Sequence, residues 1–162
     1  MLRVRGIAFT VLIPGTVGAY VPYVLSKVHR LPGGWFALGW LLVIPGAILY
    51  GTSLTAFLLS GGTPAIFFTK PLRFMLGEEP VKLVSAGFYR YSRNPMYLGV
   101  ALAVLGQAVL YASWPVATYG VGLCVCFQLV VVFLEEPHLH RTRGQPYRDY
   151  CRRVPRWLGW PQ

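Results

Sequence analysis

Two long stretches without a charged side chain limit what this chain can fold into. No Lys, Arg, Asp or Glu occurs from residue 31 to residue 69, and none occurs from residue 94 to residue 134. About 20 apolar residues cross a bilayer as a helix, so each stretch is long enough for two spans. Of the 162 residues, 55% are hydrophobic and 12% are charged, whereas soluble domains carry about twice that charged fraction. The sequence therefore predicts an all-α, polytopic membrane protein.

Turns, prolines and interface residues divide the apolar stretches into about four transmembrane helices. We expect these spans over residues 6–25, 35–59, 95–112 and 115–134. Pro14 and Pro22 should kink the first span, because proline cannot donate a backbone hydrogen bond. A tight turn at residues 113–115 joins the last two spans into a C-terminal helical hairpin. Residues 64–93 predict a partly interfacial loop with a short amphipathic helix.

The net charge of +10 comes from fifteen basic and five acidic residues. The basic residues flank apolar spans, where they meet anionic headgroups, so we exclude a nucleic-acid partner. With four spans, thirteen of the fifteen lie on the side that holds both termini and residues 64–93. Positive charge collects on the cytoplasmic side. The chain is therefore expected to be a multi-pass protein of the inner, cytoplasmic membrane with both termini in the cytoplasm.

Two adjacent glutamates, Glu135 and Glu136, follow the last apolar run directly. On this topology they lie close to Arg93, at the other base of the same hairpin. A carboxylate beside the hydrocarbon is costly and needs a partner or a wet cavity. Neighbours on a helix point about 100° apart, so one could bind a ligand while the other holds a structural arginine. Alternatively, both cap the membrane edge and pair with interface arginines.

Other motifs carry less information. Cys124, Cys126 and Cys151 do not have the spacing of metal ligands, and we expect no metal. His138 and His140 follow the glutamates, where either could act as a general base or simply be solvated. Neither G-x-G-x-x-G nor a P-loop occurs, which argues against a soluble nucleotide-binding fold.

Two segments resemble a known superfamily. They are LVSAGFYRYSRNPMYLG, residues 83–99, and EEPHLHRTRGQPYRDYCRRVPRWLG, residues 135–159. Their pattern, L-V-x-x-G-x-Y-x-x-x-R-[HN]-P-x-Y-x-G, an apolar hairpin, E-E and then G-x-x-Y-x-x-Y-x-x-x-V-P-R, is similar to that of the isoprenylcysteine carboxyl methyltransferases and phospholipid methyltransferases. The resemblance runs from residue 62 to residue 157. It implies one membrane domain, with two N-terminal spans in residues 1–60 and a catalytic region in residues 61–162.

The resemblance also implies a cofactor and a site. S-adenosylmethionine would be the methyl donor, bound in a loop at the cytoplasmic face beneath the tail. By position, its binding residues would be Lys82, Leu83, Val84, Tyr89, Asn94, Pro95, Met96, Tyr97 and Glu135. Glu135, Glu136 and Arg93 would be the catalytic residues, with Arg93 bracing the turn. The acceptor would be a lipophilic small molecule or lipid with an amine, thiol or carboxylate, entering from the bilayer.

In this interpretation the helix that begins at Pro95 directs its positive N-terminal dipole at the cofactor carboxylate. Glu135 would meet the ribose hydroxyls. The tail, with Tyr147 and Tyr150, would fold over the site as a lid that excludes water.

Two positions depart from the family pattern. Asn94 stands where histidine is common, so imidazole chemistry is excluded there. Val131 stands where the prenylcysteine enzymes carry an arginine that meets the substrate carboxylate, which disfavours a prenylcysteine substrate.

Two alternatives remain at this point. Some membrane reductases share the C-terminal half of this architecture, and the arginine-rich tail could take the 2′-phosphate of NADPH. A non-enzymatic membrane protein, whose basic tail binds anionic lipid, would leave the paired glutamates unexplained.

Overall fold

The structure, a computed structural model, describes residues 11–29, 35–61 and 83–160. All regular elements in these ranges are helical and none is a strand, which confirms the all-α class. Helix α1 is π-helical over Val11–Tyr20 and α-helical over Val21–Ser26, and it is followed by α2, Phe36–Leu59, and α3, Pro95–Leu110. Helix α4 is α-helical over Trp114–Val130, π-helical over Val131–Glu135 and α-helical again over Glu136–Arg143. The last helix, α5, spans Gln145–Arg153. A 3₁₀ turn, Gly87–Arg90, precedes α3.

Two of these helices are long and apolar enough to cross a membrane, namely Phe36–Leu59 and the continuous helix Trp114–Arg143. The helices Leu12–Ser26 and Pro95–Leu110 are apolar but shorter. Four spans with both termini in the cytoplasm therefore stay a prediction. The amphipathic helix expected after residue 63 falls mostly on residues 62–82, outside the described residues.

Helices α2 and α3 pack against each other through two pairs of glycines. Gly39 and Gly46 are seven residues apart on α2, and Gly99 and Gly106 are seven apart on α3, so each pair lies on one helix face. A Cβ added to Gly99 would lie 2.7 Å from the carbonyl oxygen of Gly46, and one added to Gly106 would lie 2.9 Å from that of Gly39. The two antiparallel backbones are therefore in direct contact, as small residues permit in membranes.

Helix α1 is tied to α3 and α4 by two side-chain hydrogen bonds. Pro22 has no N–H, so it cannot donate to the carbonyl of Gly18, four residues earlier, or of Val17, five residues earlier. Gln107 Nε2 of α3 donates to the Gly18 oxygen at 2.6 Å, and Tyr119 OH of α4 donates to the Val17 oxygen at 2.8 Å. Pro22, which was expected to kink this segment, thus also leaves carbonyls available for contacts with the hairpin.

Helices α3 and α4 form the expected hairpin. Val104, Ala108 and Val116 are its buried core. A short turn joins the helices, and Ala112 there has φ 45°. The sequence predicted that the fourth span ends near residue 134, but the helix continues to Arg143. Its π-helical segment, Val131–Glu135, comes just before Pro137, and a wider turn there gives the proline ring room that a regular helix lacks.

Candidate functional site

The two adjacent glutamates at the end of the π-turn face different partners. Glu135 is only 8% exposed, and the hydroxyl of Tyr97, from the first turn of α3, donates a hydrogen bond to its Oε1. The Tyr97 ring packs against Phe127 of α4 with 4.6 Å between ring centroids. His138 is close enough to Glu135 to interact with it electrostatically. A buried carboxylate thus lies at the base of the hairpin and is held from the opposite helix.

Glu136 is bound by two arginines. The Nη1 atom of Arg93 lies 2.9 Å from its Oε1. Arg156 donates from Nε to Oε1 and from Nη2 to Oε2, both at 2.8 Å, which is the two-pronged geometry that makes arginine–carboxylate pairs strong. The expected proximity of Arg93 and the glutamates is confirmed. Glu136 therefore acts as an anchor for the turn and the tail.

The turn before α3 is bonded to the tail. The backbone N–H of Arg93 donates to the carbonyl of Pro155 at 3.0 Å. Asn94 Nδ2 and Ser92 Oγ both donate to the carbonyl of Arg156, at 2.9 and 3.4 Å. Arg93 also places Nη1 2.8 Å from the sulfur of Cys151. Asn94, which replaces the common family histidine, is thus a link between the turn and the tail.

Further contacts fasten the tail along its length. Tyr150 OH donates to the carbonyl of Tyr89 at 2.7 Å, and Trp157 Nε1 donates to Gln128 Oε1 of α4 at 2.7 Å. Tyr147, Tyr150 and Val154 form a buried cluster, with Leu83 packed against it. The tail therefore folds over the turn, as expected, while its role in excluding water stays a prediction.

Burial controls the protonation of the phenols beneath the tail. It raises the pKa of Tyr89, of Tyr147 and of Tyr150 above the usual value of a phenol. These three side chains are therefore neutral over the whole physiological range, and none of them serves as a base. The hydrogen bonds to Glu136 raise the pKa of Arg156, so this guanidinium stays charged.

The residues that the resemblance assigned to the cofactor fall into three groups. Met96 and Tyr97 are partly exposed at the start of α3, and Leu83 is partly exposed beside the tail. Val84, Tyr89, Asn94, Pro95 and Glu135 are buried, and Tyr89 packs edge-on against Phe57 of α2. Lys82 lies outside the described residues. The binding role of the whole set stays a prediction.

The first backbone N–H groups of α3 have no hydrogen-bond acceptor within the described part of the helix. Asn94 occupies the N-cap position, but its side chain makes no capping hydrogen bond, because its amide donates to the tail. Pro95 has no N–H, and Leu98 is the first residue to donate back to Asn94. The N–H groups of Met96 and Tyr97 therefore have no partner within the helix, and such donors suit an anionic group.

Sequence reasoning missed several members of this site. It did not single out Ser92, Gln128 or Trp157, which gave no signal of their own. Arg156 belongs to the V-P-R end of the family pattern, and that match was the signal that could have identified it. Among the described residues, no group of three or more His, Cys, Asp or Glu side chains could hold a metal ion.

Comparison with known proteins adds independent findings. The model of the phospholipid methyltransferase family matches residues 35–145, more than half of the chain. A methanethiol S-methyltransferase of Crocosphaera subtropica is 28% identical over 120 residues, which are 74% of this chain and 43% of that protein. The chain thus spans less than half the length of this relative. No solved structure matches.

Proposed function

We propose, from the premise that this chain belongs to the phospholipid methyltransferase family, that it is an integral-membrane methyltransferase that uses S-adenosylmethionine and methylates a thiol. The observation that carries this proposal is the buried contact between Glu135 and Tyr97, next to the uncapped start of α3. A carboxylate and free backbone donors meet there at the base of an apolar hairpin. The name of the relative, a methanethiol S-methyltransferase, favours a thiol over an amine or a carboxylate.

The donors and acceptors at this place fit S-adenosylmethionine. The N–H groups of Met96 and Tyr97 suit its carboxylate, and the apolar edge of Leu83 suits its adenine ring. When bound, this cofactor supplies an electrophilic methyl group on a sulfonium sulfur. The protein then needs mainly to align the acceptor and to remove its proton.

A thiol acceptor explains why a buried carboxylate is present. The thiolate, rather than the thiol, is the nucleophile, and a free thiol has a pKa near about 8.5. Glu135 takes the proton from the acceptor sulfur, while the hydroxyl of Tyr97 holds the carboxylate in place. The acceptor sulfur would lose that proton and gain the methyl carbon as the bond between this carbon and the sulfonium sulfur breaks, so the products would be a neutral methyl thioether and S-adenosylhomocysteine.

The environment of Val131 argues against a carboxylate acceptor. This residue is one helical turn before Glu135 and is almost completely buried. An apolar side chain thus stands where a carboxylate acceptor would need a cation. A neutral thiol that enters from the bilayer needs no such partner.

The test separates cofactor binding from chemistry. Thermal unfolding in detergent is measured with S-adenosylhomocysteine and with NADPH, since a ligand at a hundredfold excess over Kd stabilises the native state by about 2.7 kcal/mol. Methyl transfer is then measured with a short alkane thiol, a long alkane thiol and phosphatidylethanolamine. We expect stabilisation by S-adenosylhomocysteine alone and a methyl thioether product. Stabilisation by NADPH alone, or methylation of the amine lipid alone, would overturn the proposal.

The Glu135→Gln variant examines the base directly. We expect it to retain binding of S-adenosylhomocysteine and to lose about 10²- to 10⁴-fold in kcat with thiols, which is the range for a missing general base. The matched control is Asp149→Asn, because Asp149 is a carboxylate of the tail that is 47% exposed and lies 3.8 Å from Arg152. Loss of cofactor binding in Glu135→Gln would instead make Glu135 a cofactor ligand.

A further inference from the structure

Arg156 joins three parts of the site through two different groups. Its guanidinium binds both oxygens of Glu136 on α4. Its carbonyl accepts hydrogen bonds from Asn94 and Ser92 in the turn before α3. The side chain and the main chain of one tail residue thus connect the two bases of the hairpin.

Because Arg156 binds Glu136, it also affects the position of the adjacent Glu135. Glu135 ends the π-turn and Glu136 begins the following α-helical segment, so the two side chains share one short piece of backbone. When Glu136 is held by a two-pronged ion pair, rotation of that backbone is restricted. The direction of the Glu135 carboxylate toward Tyr97 is then restricted as well.

An ordinary ion pair would not have these consequences. Pairs on the surface contribute little, and the 3.8 Å contact of Arg152 with Asp149 is one of them, since the Arg152 side chain is 78% exposed. The Glu136 side chain is only 14% exposed, and Arg93 is its second partner, which would still be present without Arg156. Loss of Arg156 therefore leaves Glu136 paired but free to move toward Arg93.

We propose that Arg156 is a positioning residue, which sets Glu135 and the start of α3 for methyl transfer by holding Glu136 and the turn together. The proposal rests on the proposed function for its kinetic consequence. Arg156 acts through these neighbours and does not touch the acceptor. It has a geometric role that a lysine cannot fill, because a single ammonium cannot span both carboxylate oxygens as a planar guanidinium does.

The kinetic test compares Arg156→Ala, Arg156→Lys and the control Arg152→Ala in full-length protein. We expect Arg156→Ala to lower kcat ten- to a hundredfold, with KM for the thiol within about threefold of wild type. Guanidinium ion at low millimolar concentration should restore part of kcat in Arg156→Ala, and Arg156→Lys should stay as slow as Arg156→Ala. Arg152→Ala should match wild type.

A second readout does not depend on activity. Alkylation at Cys151, followed by mass spectrometry, reports whether Arg93 still holds that sulfur. We expect faster alkylation in Arg156→Ala and an unchanged rate in Arg152→Ala. If wild type binds no S-adenosylhomocysteine, the proposed function fails while this measurement still reports on the contact.

The proposal is overturned by any of three results. These are full activity in Arg156→Ala, restoration of activity by lysine, or a loss of kcat that follows the melting temperature and does not respond to guanidinium. The third result would make Arg156 only a stabilising residue of the tail.

Discussion

The glycine contact between α2 and α3 and the polar end of the hairpin hold the molecule together by different means. The first brings two backbones together at Gly46 and Gly99, with no charged side chain involved. The second joins Arg93, Glu136 and Arg156 by charged hydrogen bonds. Both are close contacts between segments far apart in sequence, but the first depends on backbone packing and the second on charged side chains.

The difference follows from the surroundings of each region. Lipid chains are as apolar as leucine, so helices in a bilayer gain most from close van der Waals contact, which small residues allow. At the membrane edge, partly buried charges must find partners, and the cost of leaving one unpaired makes their geometry specific. We therefore expect the stability of the glycine contact to depend on side-chain size, and the stability of the polar end to depend on charge.

The largest effect is expected at the glycine contact. In Gly99→Val the new Cβ would lie 2.7 Å from the backbone oxygen of Gly46 and the backbone nitrogen of Tyr50, and neither atom can move without its helix. We expect a loss of more than about 3 kcal/mol in unfolding free energy, measured by thermal denaturation in detergent. Gly51→Ala is the control, because nothing lies within 4 Å of its new Cβ. Equal stability of the two variants would contradict the contact.

A smaller loss is expected at the polar end. Glu136→Gln leaves Arg93 and Arg156 facing a neutral amide, and we expect a loss of about 2 kcal/mol, below the range for fully buried pairs because Arg156 is partly exposed. Denaturation at low and high salt measures the effect. The wild-type stability should decrease with salt and that of Glu136→Gln should not, whereas the Gly99→Val loss should be the same at both. A salt-independent wild type would show that charge is unimportant here.

Gln107 lies between the two extremes, since it is a polar contact inside the apolar region. Gln107→Leu leaves the Gly18 carbonyl without its 2.6 Å donor, and we expect a loss of about 1 kcal/mol in unfolding free energy. Chemical denaturation in detergent measures it. Thr118→Val is the comparison, because the Thr118 hydroxyl donates to the carbonyl of Trp114 in its own helix. A greater loss for Thr118→Val than for Gln107→Leu would contradict the role of the freed carbonyls.

The smallest effect is expected at Trp157. Trp157→Phe keeps an aromatic ring at this position and removes the N–H that reaches Gln128 at 2.7 Å, together with part of the ring area. We expect about 0.5–1 kcal/mol, measured as a shift in melting temperature with methyl-transfer kcat unchanged within about twofold. A large fall in kcat would assign this end of the tail a more direct part in the reaction.

The helices and the meeting of Arg93 with the glutamates could be predicted because charge is absent from long, continuous stretches. A hairpin of two apolar runs brings its ends together whatever its side chains are. The division of roles between Glu135 and Glu136 could only be left as alternatives, because neighbouring carboxylates have the same chemistry and differ in what faces them. The structure distinguishes their contacts, with Tyr97 at one and arginines at the other.

The contacts of the individual tail residues could not be predicted from the sequence. Six arginines lie between residues 141 and 156, and no local pattern indicates which of them is drawn inward. The selection of Arg156 depends on Pro155 and on the carbonyl that faces Asn94, which are tertiary contacts. For the same reason the π-helical segments were not anticipated, since they reflect how prolines are accommodated by neighbouring helices.

The π-turn of α4 has a further consequence for how the chain can vary. A turn that closes with one residue more than the α-helix shifts the angular register of everything after it by about 100°. The side chains of α4 after the π-turn, Glu136 among them, therefore face a different direction about the helix axis from the one they would face in a continuous α-helix. Deletion of one residue among residues 132–134 would remove no residue of the site, yet it would turn the glutamates away from Tyr97 and the tail.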